Sequence, residues 1–388
     1  MKPSLYLDGL KNRSRSTSLA GSLGVTSAGD GMADQRGLFD LDERYAALSK
    51  AGDPLERLAA VVDFEVFRAE LDAALRRSDR AKGGRPPLDA VLMFKVLVLQ
   101  ALYGLSDEQA EFQIMDRRTF GRFLGIDAGD RVPDATTIWR FREALVRAGA
   151  VEALFARFDG HLRLAGYMAM GGQIIDASIV AAPRQRMTHE ERRIVKSGGI
   201  PEEWKAKPTK LASKDRDARW TLRRGRRKRR PDGTLMAEIA TPIFGYKSHI
   251  GTDRRHGFIR TWSVTDAASY DGRELPRLLD RTNTAGGVWA DTAYRSTKNE
   301  KRIAAAGLTS HVHFRKPPGK ALTPQRQSAN AARSKIRSAV EHVFADQKSR
   351  MGLFVRTIGI ARARAKIGLA NIAYNMRRLV FWQTTMAA

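Results

Sequence analysis

The chain has 388 residues, and its 68 Lys and Arg residues outnumber its 42 Asp and Glu residues, which gives a formal net charge of +26. It has no cysteine, which excludes disulfides, thiolate nucleophiles and cysteine-ligated metal sites. So large a positive charge indicates a polyanionic partner, and nucleic acid is a better candidate than an anionic membrane surface. The alternative is a basic protein that has no such partner.

Hydrophobic residues make up 43% of the chain, which is enough to build real cores, but no stretch predicts a membrane span. The longest apolar stretch, residues 90–103, contains Lys95 and Gln100 and is shorter than the roughly 20 apolar residues that a span requires. The N-terminus lacks the apolar core of a signal peptide. These features predict a soluble protein of a reducing compartment with no membrane partner.

The N-terminal part of the chain predicts a tail followed by helices. Residues 1–37 are rich in Ser, Gly and Thr and predict a disordered tail. Apolar residues then recur at helical spacing, with caps and turn glycines between the segments. The predicted helices cover residues 55–77, 86–103, 107–115, 117–126 and 135–149. Residues 38–150 therefore predict an all-α domain that resembles a helix-turn-helix arrangement with 135–148 as its DNA-reading helix; a plain helical bundle is the alternative.

From about residue 172, short β-branched runs alternate with helical segments. The predicted strands cover residues 172–181, 245–253, 258–267, 288–294 and 310–314. The predicted helices cover residues 272–282, 297–306, 325–351 and 361–381. This order predicts an α/β or α+β domain with a mixed sheet over residues 165–388, with a polar and basic insertion at 183–242.

The insertion contains the run RRGRRKRR at 223–230, in which seven of eight residues are basic. Such a run repels itself and is typical of a segment that lies on a phosphate backbone. A solvated loop and a nuclear-import signal are the alternatives. Together with two arginines of the 135–148 helix, the run supplies the predicted DNA-binding residues. These are Arg140, Arg142, Arg223, Arg224, Arg226, Arg227, Lys228, Arg229 and Arg230.

Three aspartates stand within or directly after apolar strands. Asp176 interrupts the strand IIDASIV, Asp291 follows VWA, and Asp266 ends SVTD. An ionised carboxylate on a buried strand is costly unless it is paired or binds a metal. A strand-end aspartate that caps the next helix is the alternative. It suits Asp266, because Gly272 and a predicted helix follow soon after, and it remains open for Asp291.

One face of the predicted helix over 325–351 carries a carboxylate between cations. At about 100° per residue, Arg337, Glu341 and Lys348 fall within about 40° of one another. A surface ion-pair ladder worth a few tenths of a kcal/mol would explain this pattern. A metal-binding glutamate with cations aimed at a phosphate backbone would explain it equally well.

Several of these motifs together resemble the DDE transposases of bacterial insertion sequences, and the insertion sequence 5 group most closely. The similarity runs from about Leu38 to about Trp382. The motifs are RPPLDAVLMFKVLVLQALYGLSDEQAEFQI (85–114), IIDASIVAAPRQ (174–185), GYKSHIG (245–251), WADTAYRS (289–296), RSAVEHVFADQK (337–348) and FVRTIGIARARAKIGLANIAYNMRRL (354–379). The section 222–242 is the part least similar to that family.

The resemblance implies a ribonuclease-H-like catalytic domain in which Asp176, Asp291 and Glu341 are the catalytic and metal-binding acids. It places four residues at phosphate-positioning sites, and Lys247 is a further candidate for that role. The four are Tyr294, Arg295, Arg337 and Lys348. Two Mg²⁺ ions, with Mn²⁺ as a substitute, are the implied cofactors.

The implied activity is transposition. The enzyme would bind terminal inverted repeats of double-stranded DNA, cleave at the element ends and transfer the 3′-OH to target DNA. A homodimer on DNA in the bacterial cytoplasm, associated with the nucleoid, is the expected assembly. Two alternatives remain open: a catalytically silent DNA-binding protein derived from a transposase, and a non-transposing nuclease of the same fold. An RNA-binding protein fits less well, because it would leave the acids in apolar strands unexplained.

Overall fold

The computed structural model describes residues 40–75, 86–127, 129–225, 230–234 and 240–386. The described residues up to Ala51 belong to one compact unit and those from Gly52 onward to another. The helix α1 (Asp40–Lys50) belongs to the first unit. The predicted tail over residues 1–37 lies outside the described residues. All other elements belong to the second unit.

The N-terminal part of the second unit is helical, as the sequence predicted. Its helices are α2 (Pro54–Val61), α3 (Arg68–Leu75), α4 (Ala90–Tyr103), α5 (Asp107–Asp116), α6 (Arg118–Leu124), α7 (Ala135–Ala148) and α8 (Ala150–Leu164). The prediction of one continuous helix over 55–77 was wrong. Val62 is extended and Asp63 caps a new 3₁₀ turn by accepting a hydrogen bond from Glu65 N, so the chain starts a fresh helical segment there.

Helix α4 is apolar on all sides and is buried along most of its length. Asp89 caps its N-terminus by accepting from Val91 N and Leu92 N, and Gly104 ends it in the left-handed conformation at φ 67°. Among the described residues, no single helix is long and apolar enough to cross a membrane. Helices α4 and α5 pass that test only as a pair, bent by 101° at the break.

The C-terminal part contains a mixed sheet, which confirms the predicted class. The strands are β1 (Gln173–Ala181), β2 (Arg219–Arg224), β3 (Ala240–Asp253), β4 (Ile259–Asp266), β5 (Gly287–Trp289) and β6 (Thr309–Ser310). The order is β2-β3-β1-β5-β6, and β4 also pairs with β3. Strands β1, β2 and β4 run antiparallel to β3, whereas β5 is parallel to β1 and β6 is parallel to β5.

Two predicted strands are shorter than expected. Strand β5 stops at Trp289 because the chain turns at Asp291, whose side chain accepts a hydrogen bond from Ala293 N and starts a 3₁₀ turn. Strand β6 covers only Thr309–Ser310, although the following segment continues alongside β5. His313 N, for example, donates to Ala290 O at 3.0 Å. The segment after β6 is thus held next to the carboxylate at 291.

Eight described helices accompany this sheet in the C-terminal part of the chain. They are α9 (His189–Lys196), α10 (Glu202–Lys205), α11 (Pro208–Ser213), α12 (Leu275–Leu278), α13 (Thr297–Ala305), α14 (Pro324–Arg337), α15 (Ala339–Ala345) and α16 (Ile360–Met386). The predicted helix over 272–282 is only a 3₁₀ turn and the short α12. The predicted helix over 325–351 breaks at Ser338 and ends in a π-helical turn, Asp346–Arg350. The described part of the 183–242 insertion holds α9 to α11 and β2.

Helix α16 joins the helical part to the sheet. It packs against α4, α8 and β4, and most of its residues are buried. Asn375 pairs with the backbone of Ile259, accepting from its N at 2.9 Å and donating to its O at 2.8 Å. Arg362 donates to both carboxylate oxygens of Glu143 on α7, each at 2.7 Å. The helix therefore packs on the core of the same chain.

Candidate active site

Asp176 lies in the middle of β1 with its side chain only 15% exposed. Its Oδ2 accepts a hydrogen bond from Arg337 Nη1 at 2.6 Å, and its Oδ1 accepts from Ala177 N at 2.8 Å. Burial raises the pKa of this carboxyl to about 6, although the Arg337 charge opposes the rise. Asp291 and Asp271 raise the same pKa through their negative charges. Asp176 is therefore one member of a close group of acids.

Asp291 is the second member. Ile174 and Trp289 are paired residues of the parallel strands β1 and β5, and each aspartate follows its paired residue by two positions. The two carboxylates are therefore close enough for the charge of Asp291 to raise the pKa of Asp176. Burial raises the pKa of Asp291, Asp271 raises it further, and Arg337 and His313 oppose the rise.

Asp271 is a third acid of this group, and sequence reasoning missed it. Its Oδ1 accepts from Lys247 Nζ at 2.8 Å, and Lys247 also donates to Ser269 O at 2.7 Å. The next residue, Gly272, packs so closely on the backbone that a Cβ there would meet Ala293 O at 2.5 Å. This contact between two turns holds Asp271 beside Asp291.

The sequence pattern indicated Asp266, and not Asp271, as the third aspartate at an apolar strand. Asp266 accepts from Ala268 N at 2.8 Å and from Ser269 Oγ at 2.5 Å. Its carboxylate stabilises the local turn and does not cap the next helix, so the capping interpretation was wrong in its partner although Asp266 does serve a local backbone role. The one sequence feature that could have indicated a role for Asp271 is its position in the loop five residues after the end of β4.

Glu341 lies on α15 and is linked to the buried acids by Arg337. Its side chain is 64% exposed, and its Oε1 accepts from Arg337 Nη2 at 3.2 Å. One guanidinium thus touches both Asp176 and Glu341. The buried Nε of Arg337 finds no hydrogen-bond partner within the described part of the chain. The described residues also contain no group of three or more acidic or histidine side chains placed to hold a metal ion.

Two further predicted residues line the same region. Lys348 Nζ donates to Ser178 Oγ at 2.5 Å, two residues along β1 from Asp176. Burial lowers the pKa of Lys348, and the nearby charge of Arg223 adds to this. Tyr294 is buried, and burial together with the charge of Asp176 raises the pKa of its hydroxyl well above the ordinary range.

Family models match two parts of the chain. The model described as Transposase domain (DUF772) matches residues 43–144, and the model described as Transposase DDE domain matches residues 169–376. The second covers more than half of the chain. The chain belongs to the DDE transposase family. This confirms the resemblance at the family level, and no solved structure matches the chain.

The arginines predicted to bind DNA differ in exposure in this transposase. Arg140 is exposed on α7, and Arg223 on β2 and Arg230 are also exposed. Arg142 donates to both oxygens of Asp107, at 2.6 and 2.8 Å, and is only 17% exposed. This ion pair holds Arg142 inside the protein, so we do not retain it as a DNA ligand.

The other residues of the basic run, and the predicted phosphate-positioning residue Arg295, differ in how far the structure describes them. The backbone of Arg224 lies in β2. The residues Arg226, Arg227, Lys228 and Arg229 lie outside the described residues. Arg295, four residues after Asp291, contacts neither Asp176 nor Glu341 in the way Arg337 does: its guanidinium lies over the ring of Phe314 at 4.4 Å from the centroid and donates to Val312 O at 2.6 Å.

DDE transposases generally use a divalent metal, and the donor set fits such an ion in part. Asp176 and Asp291 present hard carboxylate oxygens, which divalent cations such as Mg²⁺ prefer. Their raised pKa values reflect burial and the negative charge of neighbouring acids, both of which a divalent cation would relieve. Glu341 would join them only after exchanging its contact with Arg337. The described side chains therefore suit a metal at the buried pair, with Glu341 as the ligand that must rearrange.

Proposed function

We propose that this transposase binds the terminal inverted repeats of its element, cleaves the DNA at the element ends and transfers the 3′-OH to target DNA. One observation carries the proposal. Parallel pairing of β1 with β5 puts Asp176 beside Asp291, and Arg337 ties Glu341 to the same place. A buried pair of carboxylates is costly as a purely structural element, because among the described residues only Asp176 of the two has an ion-pair partner, Arg337.

In this proposal Asp176, Asp291 and Glu341 hold divalent ions, with Mg²⁺ as the natural choice and Mn²⁺ as a substitute. When bound, the ions would activate the attacking oxygen and stabilise the leaving oxygen of an in-line displacement at phosphorus. The protein's own cations then bind the reacting phosphate. Arg337 and Lys348 stand on either side of Glu341 along the chain and both reach β1, at Asp176 and Ser178.

Lys247 and Tyr294 have supporting roles. Lys247 is held by Asp271 and Ser269 O, so its charge faces the acids from the β3 side. Tyr294 has a buried ring next to the acids, and its hydroxyl has no partner among the described residues; it would donate a hydrogen bond, without losing its proton, to a DNA or solvent oxygen.

We propose further that the catalytic domain is ribonuclease-H-like and that the protein belongs to the insertion sequence 5 group. The strand arrangement supports this fold: β4, β3 and β1 are antiparallel neighbours, and β5 and β6 continue in parallel from β1. Helices 38–150 are proposed to recognise the element ends, with Arg140 and the half-exposed Trp139 of α7 facing outward.

The assembly follows from the reaction. Joining two element ends to one target needs two active sites, so we propose a homodimer formed on DNA. The site of action would be the bacterial nucleoid in the cytoplasm. Arg223, the first residue of the basic run, would bind phosphates next to Lys348, because it is close enough to lower the pKa of that lysine.

The test is DNA cleavage and strand transfer on labelled terminal-repeat DNA with MgCl₂. Wild type is compared with Asp291→Asn, Glu341→Gln and the matched control Asp266→Asn, a strand-end acid that bonds only to its own turn. We expect both activities to vanish in the first two variants while DNA binding persists, and the control to remain active. Binding without cleavage by wild type in Mg²⁺ or Mn²⁺ would favour a silent DNA-binding protein. Cleavage without joining would favour a nuclease.

A further inference from the structure

Three arginines surround one aromatic ring next to the acidic site. The guanidinium carbons of Arg333, Arg295 and Arg326 lie 4.3, 4.4 and 5.3 Å from the ring centroid of Phe314. We call these four residues the arginine cage. Three elements supply it: the turn after Asp291, the segment after β6, and α14.

The cage is built rigidly from backbone contacts. The carbonyl oxygen of Val312 accepts from Arg295 Nη1 at 2.6 Å and from Arg333 Nη1 at 2.8 Å. Asn330 fixes the backbone of Phe314 on both sides, accepting from its N at 2.8 Å and donating to its O at 3.1 Å. Arg295 and Arg333 are therefore held before any ligand arrives, which lowers the ordering cost of binding.

The cage also concentrates positive charge. Among the described residues, the one carboxylate near it is Glu300, whose Oε1 lies 3.9 Å from Arg295 Nη1 and also accepts from Ser310 Oγ. A carbonyl oxygen is neutral, so it leaves the charge of the guanidinium groups that it binds unbalanced. Burial lowers the pKa of Arg333, and the neighbouring charge of Arg295 lowers it further. Like charges assembled in this way indicate an anion that binds among them.

The chemistry of the cage points to phosphate. A guanidinium whose face lies on an aromatic ring keeps in-plane N–H groups that can donate, and these match phosphate oxygens in geometry. The cage adjoins the reaction site as well. His313 N donates to Ala290 O, the residue before Asp291, and Phe314 is the next residue along. Arg295 follows Asp291 by only four positions.

We propose that the arginine cage binds the phosphodiester backbone of DNA beside the reacting phosphate, as a second contact separate from the helical end-recognition domain. The proposal rests on the proposed function in taking DNA as the substrate. The bound backbone belongs either to the element end or to the target DNA, and both present the same phosphodiester chemistry. The cage holds the strand in line so that the reacting phosphate meets Asp176 and Asp291.

The experiment measures binding of a short labelled terminal-repeat duplex over a series of NaCl concentrations. The double variant Arg326→Gln with Arg333→Gln is compared with Lys196→Gln with Arg281→Gln, which removes two exposed charges elsewhere. Each lost phosphate contact reduces the slope of log K against log salt by about 0.9, so we expect a reduction of about 1.8 in the cage variant and none in the control. Because Arg333 also holds Val312 O, Arg326→Gln alone provides a variant that leaves the scaffold intact, with an expected reduction of about 0.9.

Strand transfer separates the two DNA sources. Loss of end binding and cleavage in the cage variant assigns the cage to the element end, whereas loss of joining alone, with cleavage retained, assigns it to the target. An unchanged slope and unchanged joining in the cage variant, with wild type active, would overturn this inference and leave the proposed function intact. Wild type that binds no DNA would overturn both.

Discussion

Arg337 donates a 2.6 Å hydrogen bond to Asp176 Oδ2, so the buried carboxylate of β1 is compensated by a cation from the end of α14. The same guanidinium donates to Glu341 at 3.2 Å. The protein's own cation therefore links two of the acids that the proposed reaction uses. A divalent ion bound by those acids would take over part of the role of Arg337, and the arginine would then be available for the reacting phosphate.

We expect Arg337→Ala to destabilise the metal-free protein by about 1 to 3 kcal/mol, because a buried carboxylate loses its donor. MgCl₂ should recover part of that loss, since an ion that binds only the folded state stabilises it by mass action. Urea unfolding with and without MgCl₂ measures both effects. The control Arg281→Ala removes an exposed charge and should change stability by less than about 0.5 kcal/mol. Equal losses in the two variants would contradict the role of Arg337.

The raised pKa of Asp176 predicts a pH dependence of stability. Its pKa is about 6 in the folded protein because of burial, against about 3.9 in an unfolded chain. Between these values the folded state binds more protons than the unfolded state, so this group's contribution falls as the pH rises from about 4 to about 6. Two pKa units correspond to about 3 kcal/mol. Asp176→Asn should therefore gain stability over wild type at pH 7 and lose the gain at pH 4.

His249 works in the opposite direction and must be separated from this effect. Burial lowers its pKa to about 4, so its contribution to stability is lost as the pH falls from about 6.5 towards 4. Because His249 is the same in wild type and in Asp176→Asn, it cancels in their difference. Urea unfolding of both proteins in EDTA across this pH range gives that difference. If the difference in unfolding free energy between the two proteins stays constant with pH, the pKa of Asp176 is not raised in the folded protein.

The sequence was informative wherever a charge broke an apolar pattern. Asp176 and Asp291 could be predicted because a carboxylate within or beside a hydrophobic strand needs a special reason. Asp271 could not be found in this way, because it lies in a polar loop. Its place depends on the contact of Gly272 with Ala293 O, which joins residues that are distant along the chain. Such a contact leaves no periodic signal.

Helix lengths were overestimated for a similar reason. Apolar spacing continued through Asp63, yet this residue caps a new turn. The spacing of Arg337, Glu341 and Lys348 assumed one unbroken helix, whereas Ser338 interrupts it and a π-helical turn follows. The three side chains still converge because α15 packs against β1. Tertiary contacts thus produced the predicted neighbourhood by a different local geometry.

Asp271 and Lys247 should be energetically coupled. Their side chains are 24% and 14% exposed and form a 2.8 Å ion pair. We expect the variants Asp271→Asn and Lys247→Met, made singly and together, to show a coupling energy of about 0.5 to 3 kcal/mol in urea unfolding. Asp271→Asn should also lower the pKa of Asp176, because one negative neighbour is removed. If the stability losses of the two single variants simply add in the double variant, the two residues are not coupled. If the pH dependence of stability is the same in Asp271→Asn as in wild type, Asp271 does not raise the pKa of Asp176.

The ion pair between Glu143 and Arg362 should stabilise the packing of α7 on α16. Glu143 is 6% exposed and accepts two hydrogen bonds of 2.7 Å. Glu143→Gln should cost about 1 to 3 kcal/mol, because a buried oxygen gives way to a group that cannot accept from the same donor. The neighbouring pair Glu152 and Arg364 is 3.6 Å apart and about half exposed, so Glu152→Gln should cost less than about 0.5 kcal/mol. Thermal or urea unfolding compares the two, and equal costs would contradict the assignment.

Arg140 and Arg142 both lie on helix α7, but replacing Arg142 should lower stability whereas replacing Arg140 should weaken DNA binding. Ile138 and Leu145 are buried, and Arg142 follows the first by four residues and precedes the second by three, so it lies on the inner face. Its two hydrogen bonds to Asp107 confirm this orientation. Arg140 is on the exposed side. The sequence contained this distinction, because the helical spacing of the apolar residues already separates the two arginines.

Arg142→Gln should therefore lower stability by about 1 to 3 kcal/mol, since the partly buried carboxylate of Asp107 loses its charged partner and keeps only the donor Gln100. The DNA affinity of the protein that remains folded should be unchanged. Arg140→Gln should leave unfolding unchanged but weaken binding to terminal-repeat DNA, and a contact to a phosphate would reduce the salt slope by about 0.9. A contact to a base edge would instead reduce the preference for the terminal repeat over unrelated DNA, at a cost of about 1 to 3 kcal/mol. Unfolding curves and binding titrations on the same two variants decide the matter. If Arg142→Gln weakened DNA binding without loss of stability, its side chain would have to leave Asp107 for the DNA.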